Sequence, residues 1–200
     1  MINNFTQRFP GVRQSRIEQT KEQVEEKWIG DGGVSLAHPP EWKKLEDNIV
    51  KAVKDECIGK VCEIGCGTGR VAKLFHPKSY IGLDINPMAL EVAERHNPKH
   101  SFDLIMWESL YPGATTYLFF TVMLHIPDSE LWGIVRKLDN RVVIVEAMGR
   151  WIRDYGKGNN YQRDPEEYRK VFSRIGMKEK SLSHCHQYHF PYYLDIMVFE

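Results

Sequence analysis

The chain has 200 residues, enough for one domain built around a single large core. Its 27 Lys and Arg balance its 27 Asp and Glu, so no overall field draws in bulk nucleic acid or an anionic membrane surface. The composition, 42% hydrophobic and 27% charged, is that of a globular protein, and no apolar run approaches the roughly 18 residues of a membrane span.

The first sixty residues read as helical. Ile17, Val24 and Trp28 form one stripe in a charged segment, and Gly30 to Gly33 break it. After Pro39-Pro40, the residues Trp42, Leu45, Ile49 and Val53 again share a helical face. From residue 60 the pattern alternates. A short strand, 60–64, ends in glycines, and Val71, Leu74 and Phe75 mark a helix after it. A second strand covers 79–83. Asn86-Pro87 then supplies an N-cap and a first-turn proline for a helix burying Leu90 and Ala93. Strands at 101–107 and 116–120 come next, then a helix opened by Pro127-Asp128, with Leu131, Ile134, Val135 and Leu138 on one face. A fifth strand covers 141–146. Asp164-Pro165-Glu166-Glu167 starts a helix with the spacing of a capping box, and Gly176 ends it. Two extended segments, near 177–187 and 190–199, suit a closing hairpin. Alternating strands and helices specify an α/β, doubly wound, Rossmann-like sheet of about seven mostly parallel strands, with an antiparallel C-terminal edge hairpin and N-terminal helices.

The sharpest motif is Glu63-Ile64-Gly65-Cys66-Gly67-Thr68-Gly69, where the first strand hands over to a helix. Its Gly-x-Gly-x-Gly spacing is not the Gly-x-Gly-x-x-Gly of a dinucleotide fold, and no Gly-Lys-Ser/Thr marks a phosphate-cradling loop. A carboxylate at Glu63 repels phosphate and welcomes a cation. The second motif, Gly82-Leu83-Asp84-Ile85-Asn86-Pro87, closes the second strand, where an acid can accept ribose hydroxyls and Ile85 can cover a nucleobase face.

These paired motifs resemble the signature of the class I S-adenosylmethionine-dependent methyltransferases, in element order over roughly residues 58–150. The resemblance implies S-adenosyl-L-methionine as cofactor. Gly65, Cys66, Gly67 and Gly69 would pass under its methionine part, with Glu63 near the amino group and Asp84 on both ribose hydroxyls. Glu108, after Trp107, is the better match for the polar residue near the adenine amine, and Asp103 the lesser, since it lies inside a strand. It also implies a single domain over 1–200, with 1–58 as a helical lid or cap over a 59–200 core. Gly30 to Gly33 would be the hinge, and Trp28, His38 and Trp42 the pocket residues.

In that family the loop after the fourth strand faces the transferred methyl. His125 stands there as a candidate general base, or simply packs at a helix entrance. No Asn/Asp-Pro-Pro-Tyr motif of amino methyltransferases of DNA comes after that strand, no Pro-Cys offers a cytosine nucleophile, and no Asp stands there for magnesium. Glu146, Arg150 and Trp151 lie at and beyond the end of the fifth strand as substrate-pocket candidates. Residues 150–180 hold nine Lys and Arg against five Asp and Glu, together with Tyr155, Tyr161 and Tyr168. That suits an anionic or aromatic small molecule, or an ordinary solvated helix face.

His184, His186 and His189 read as the polar face of an edge strand rather than a metal site, and Cys62 and Cys66 as small buried residues. Four cysteines (these two, Cys57 and Cys185) are too few for a disulfide scaffold, and 1–16 lack the apolar stretch of a secretory signal. Both fit a cytoplasmic protein. The expectation is a methyltransferase acting on an O or N atom of a small molecule, with no membrane partner and no pull toward nucleic acid. The alternatives are an enzyme on RNA or protein, and a non-catalytic module that binds the cofactor.

Overall fold

The computed structural model describes Ile29 and residues 45–105, 113–148, 161, 163–186 and 193–200. The stripe 17–28, the glycine hinge, and Trp28, His38, Trp42, Trp107, Glu108, Arg150, Trp151, Tyr155 and His189 lie outside the described residues. A helix α1 (Asp47–Glu56) buries Ile49 and Val53, as their spacing requires. The parallel strands are β1 (Val61–Ile64), β2 (Tyr80–Asp84), β3 (Ser101–Leu104), β4 (Thr116–Phe120) and β5 (Arg141–Glu146), and the chain closes on β6 (Glu179–His186) and β7 (Tyr193–Phe199). Between them run α2 (Pro87–His96), α3 (Asp128–Val135) and α4 (Pro165–Ser173).

All seven strands form one sheet in the order β3-β2-β1-β4-β5-β7-β6. The first five pair in parallel, and β7 pairs antiparallel with both β5 and β6. The order turns back between β1 and β4, and the crevice at that turning point opens at the carboxyl ends of the strands. The strands β4 and β5 are buried along their whole length, so they read as continuous apolar runs, not alternating ones. One apolar layer joins Cys62, Ile64, Phe119 and Ile144 to α3 and α4, and the other joins Val61, Leu118, Val143 and Val145 to α1.

Local chemistry fixes the helix starts. The Asn86 side chain accepts hydrogen bonds from the N–H groups of Met88 and Ala89, with Pro87 in the first turn of α2. Asp164 and Glu167 complete a reciprocal capping box at α4. Elsewhere the sequence expectation exceeds the structure. The helix expected at Val71, Leu74 and Phe75 is only a 3-10 turn, Ala72–Leu74, because Pro77 comes so soon that no α-helix fits. The third strand stops at Leu104 rather than 107, and α3 ends at Val135, leaving Leu138 buried beyond it.

One close approach on the sheet is testable. Gly82 lies in β2 beneath the ring of Phe102 and the thiol of Cys66, and a Cβ there would stand 2.7 Å from Phe102 Cδ1 and 2.9 Å from Cys66 Sγ. Gly82→Ala is therefore expected to destabilise the fold by about 1–3 kcal/mol through overpacking. The measurement is a lower urea midpoint at unchanged denaturant slope. An unchanged midpoint would mean that the ring and thiol yield without cost.

Candidate functional site

Four strand ends meet at the turning point of the sheet, and three of them carry residues of the sequence motifs. The glycine loop leaves β1 with left-handed backbone at Gly65 (φ +72°), Gly67 (+52°) and Gly69 (+73°), a region that favours glycine. Its amides point inward. The N–H groups of Gly65 and Cys66 donate to Leu83 O at 2.7 and 3.0 Å, Gly69 N–H donates to Cys66 O at 3.0 Å, and Gly67 N–H donates to Asp84 Oδ2 at 2.7 Å. Asn97, the C-cap of α2, donates from its side-chain amide to Gly69 O and holds the far end of the loop.

Asp84 sits half-buried at the end of β2. Its other oxygen accepts the Asn86 N–H at 2.9 Å. Burial pushes its carboxyl up, against the hydrogen bonds from the N–H groups of Asn86, Gly67 and Ile85. Ile85 is half-buried beside it, packed against the apolar layer of Cys62 and Ile64. Glu63 is buried in β1 and accepts a hydrogen bond from the Tyr80 hydroxyl. Burial raises its carboxyl to about 8, although that bond and the charge of Arg70 pull the other way. Arg70, next to the loop, lies over the Phe120 ring at 4.8 Å. Burial also pushes the Cys66 thiol well up, which favours its protonated form. Asp103 lies on the exposed edge strand β3.

This arrangement decides which ligand the loop suits. The four loop amides named are engaged within the protein, and only a 3-10 turn comes after them, so no helix N-terminus faces a phosphate. Two carboxyl groups stand at the same edge instead. A cationic ligand with a ribose fits that donor set, and a pyrophosphate does not.

The fourth strand ends in strain. Thr121 has φ +58°, a left-handed conformation that β-branched residues seldom adopt, and its N–H donates to Val145 O at 2.8 Å. Val122 then meets the glycine loop: a Cβ on Gly65 would stand 2.5 Å from Val122 Cγ2. A 3-10 turn, Met123–His125, places half-buried His125 at this edge. Of the groups that hold this turn, sequence reasoning singled out Glu146 and the tyrosines but not Arg163. Glu146, at 1% exposure, accepts the Leu124 N–H at 3.0 Å and the Tyr168 hydroxyl at 2.6 Å. Arg163, at 2% exposure, donates to Met123 O and Ile126 O, both at 2.7 Å, and to Asp128. Tyr161 N–H donates to Leu124 O at 2.6 Å. Burial lifts the Glu146 carboxyl to about 7, against the Tyr168 bond and the Arg163 charge. Expected as a substrate contact, Glu146 here has both oxygens turned to the protein's own turn and to α4.

The histidines are split. His184 pairs with buried Asp195, whose other oxygen accepts the Met148 N–H, and no group of three metal-ligating side chains occurs among the described residues. All four cysteines are free thiols, and no helix among the described residues is long and apolar enough to cross a membrane.

A family model described as a methyltransferase domain matches residues 62–112. The magnesium protoporphyrin IX methyltransferase of Synechocystis PCC 6803, solved with bound S-adenosylhomocysteine, is similar at TM-score 0.69 and 15% identity, over 90% of this chain and 99% of that one. A methyltransferase of Methanosarcina mazei dependent on S-adenosylmethionine is similar at TM-score 0.60 and 16% identity, over 78% and 97%. A structure on disulfide-to-thioacetal conversion in echinomycin biosynthesis is similar at TM-score 0.63 and 16% identity, over 80% and 84%. A search of curated protein sequences returns no match. At these identities the structural likenesses are likenesses of fold, while the domain match covers the glycine loop and the Asp84 turn. The chain thus carries, over residues 62–112, a segment similar to a methyltransferase domain, within a sheet that has the fold of S-adenosylmethionine-dependent methyltransferases.

Proposed function

We propose that this chain transfers the methyl group of S-adenosylmethionine to an O or N atom of a small molecule. The observation that carries the reading is the inward-tied glycine loop with Asp84 and Glu63 beside it, a donor set suited to a sulfonium amino acid carrying a ribose. The bound cofactor supplies an electrophilic methyl for in-line displacement. Asp84 would hold the ribose hydroxyls on lone pairs left beside the Gly67 and Asn86 bonds. Glu63 would face the ammonium, and the loop backbone would lie close under the methionine chain. Trp107 and Glu108 would complete the adenine side, and Arg150 and Trp151 the acceptor side. His125 would take the acceptor's proton.

The small-molecule reading is supported by a chain without excess positive charge and by structural neighbours that include a magnesium protoporphyrin IX methyltransferase and a structure from echinomycin biosynthesis. Incubation with S-adenosylmethionine and pools of small hydroxyl and amine acceptors should release S-adenosylhomocysteine. Binding without turnover across such pools would favour a non-catalytic module. A salt-sensitive complex with RNA would favour the nucleic-acid enzyme.

Two substitutions separate the roles. Asp84→Asn should weaken S-adenosylhomocysteine binding about tenfold or more in calorimetry, since a charged hydrogen-bond acceptor is worth roughly 1.5–3 kcal/mol. His125→Ala should leave that affinity unchanged and cut kcat by about 10²–10⁴-fold, the usual contribution of a general base. Unaltered turnover would reduce His125 to packing.

The raised Glu63 carboxyl gives a pH signature. In the ligand-free chain its folded value, about 8, stands above the ordinary carboxyl value of 4.5. Its contribution to stability is therefore complete below the ordinary value and is lost as pH rises through about 8. An ammonium beside it reverses that preference by favouring the carboxylate. Binding of S-adenosylhomocysteine at neutral pH should thus release a proton, seen as a dependence of calorimetric heat on buffer ionisation. Glu63→Gln should abolish that release, and equal release in the variant would remove Glu63 from the ammonium.

A further inference from the structure

We propose that Arg163 is a positioning residue for the acceptor side of the site, acting on His125 through the backbone of 123–126. The proposal rests on the methyltransferase reading only in giving that turn a catalytic neighbour. Arg163 directly precedes the N-cap of α4, and the capping box at Asp164 fixes its backbone. Its guanidinium is almost fully buried, a costly placement unless its donors are satisfied. Two of them go to the carbonyls that flank His125 on either side, Met123 O and Ile126 O. A planar fork can span two carbonyls three residues apart, and a lysine ammonium cannot hold that geometry.

The donation to Asp128 fixes the plane of the fork against the start of α3. From the opposite side, Glu146 takes the Leu124 N–H, and Tyr168 from α4 holds Glu146 in place. The turn that bears His125 is thus gripped from β5 and from the start of α4, immediately after the left-handed Thr121. Strained backbone persists where its surroundings over-determine it, and this grip supplies the over-determination.

The test monitors the His125 imidazole resonance in the full chain, assigned by its loss in His125→Ala. Arg163→Lys should shift or broaden that resonance while the affinity for S-adenosylhomocysteine stays within about twofold. With an acceptor in hand, kcat should fall about tenfold to a hundredfold at unchanged KM for S-adenosylmethionine, the cost of a small misplacement. Tyr168→Phe, which keeps the ring and removes the hydroxyl that bonds Glu146 and faces Arg163, should give a smaller change of the same kind. A His125 resonance unmoved in folded Arg163→Lys overturns the proposal. So does a cofactor affinity that falls in step with the melting temperature, which marks a purely structural role. If Arg163→Lys does not fold, Tyr168→Phe decides alone by the same readouts. Failure of the wild-type chain to bind S-adenosylhomocysteine would sink the methyltransferase reading, and the resonance would still judge the positioning.

Discussion

The Asp84 carboxyl, accepting the N–H groups of Gly67 and Asn86 at once, is the interaction on which the glycine-loop side of the crevice is built. It joins the loop after β1 to the loop after β2, and so fixes the distance between a backbone cradle and an acid. It also sets the sign of the site. An amide donated to a carboxylate is no longer offered to a phosphate, so the loop loses the anion-binding property that glycine turns have in nucleotide folds. Burial works against this acid by favouring its protonated form, while the three backbone N–H groups favour the charged form. The glycine loop and the acid therefore support each other: Gly67 N–H favours the charged form of the acid, and the acid orders the loop.

A second anchor stands across the crevice and uses opposite chemistry. There the chain grips its own backbone with a cation, Arg163, and a buried acid, Glu146. The two anchors touch where Gly65 faces Val122, a contact too close for any side chain on the loop. The distance between the cofactor loop and the strand-four turn is thus set by packing rather than by polar bonds.

Much of this was legible in the sequence, for identifiable reasons. The strands β4 and β5 and the capped helices α2 and α4 came from local rules: apolar runs, Asn86-Pro87, and the Asp164-Glu167 box. The partners of the motifs were not legible. Nothing local distinguishes Arg163 from the other basic residues of the segment 150–180, since its Met123 acceptor lies 40 residues earlier in the chain. Asn97 carries no local signal of its role, since its amide reaches Gly69 O across 28 residues of sequence. Glu146 was rightly placed at a strand end. Which way its carboxyl turns depended on Tyr168 and Leu124, which only the fold brings near.

The neutral charge sum hides a division of labour. On the cofactor side, Glu63 and Asp84 are acids at the crevice, and Arg70, beside the loop, is turned over the Phe120 ring. Across the crevice, the described segment after β5 turns Arg163 inward to carbonyls and Asp128 and Tyr168 inward to Glu146, while Lys170, Arg174, Lys178 and Lys180 stay exposed. The basic excess of this segment therefore has one structural member, because a buried guanidinium paired with carbonyls offers nothing to an anion outside.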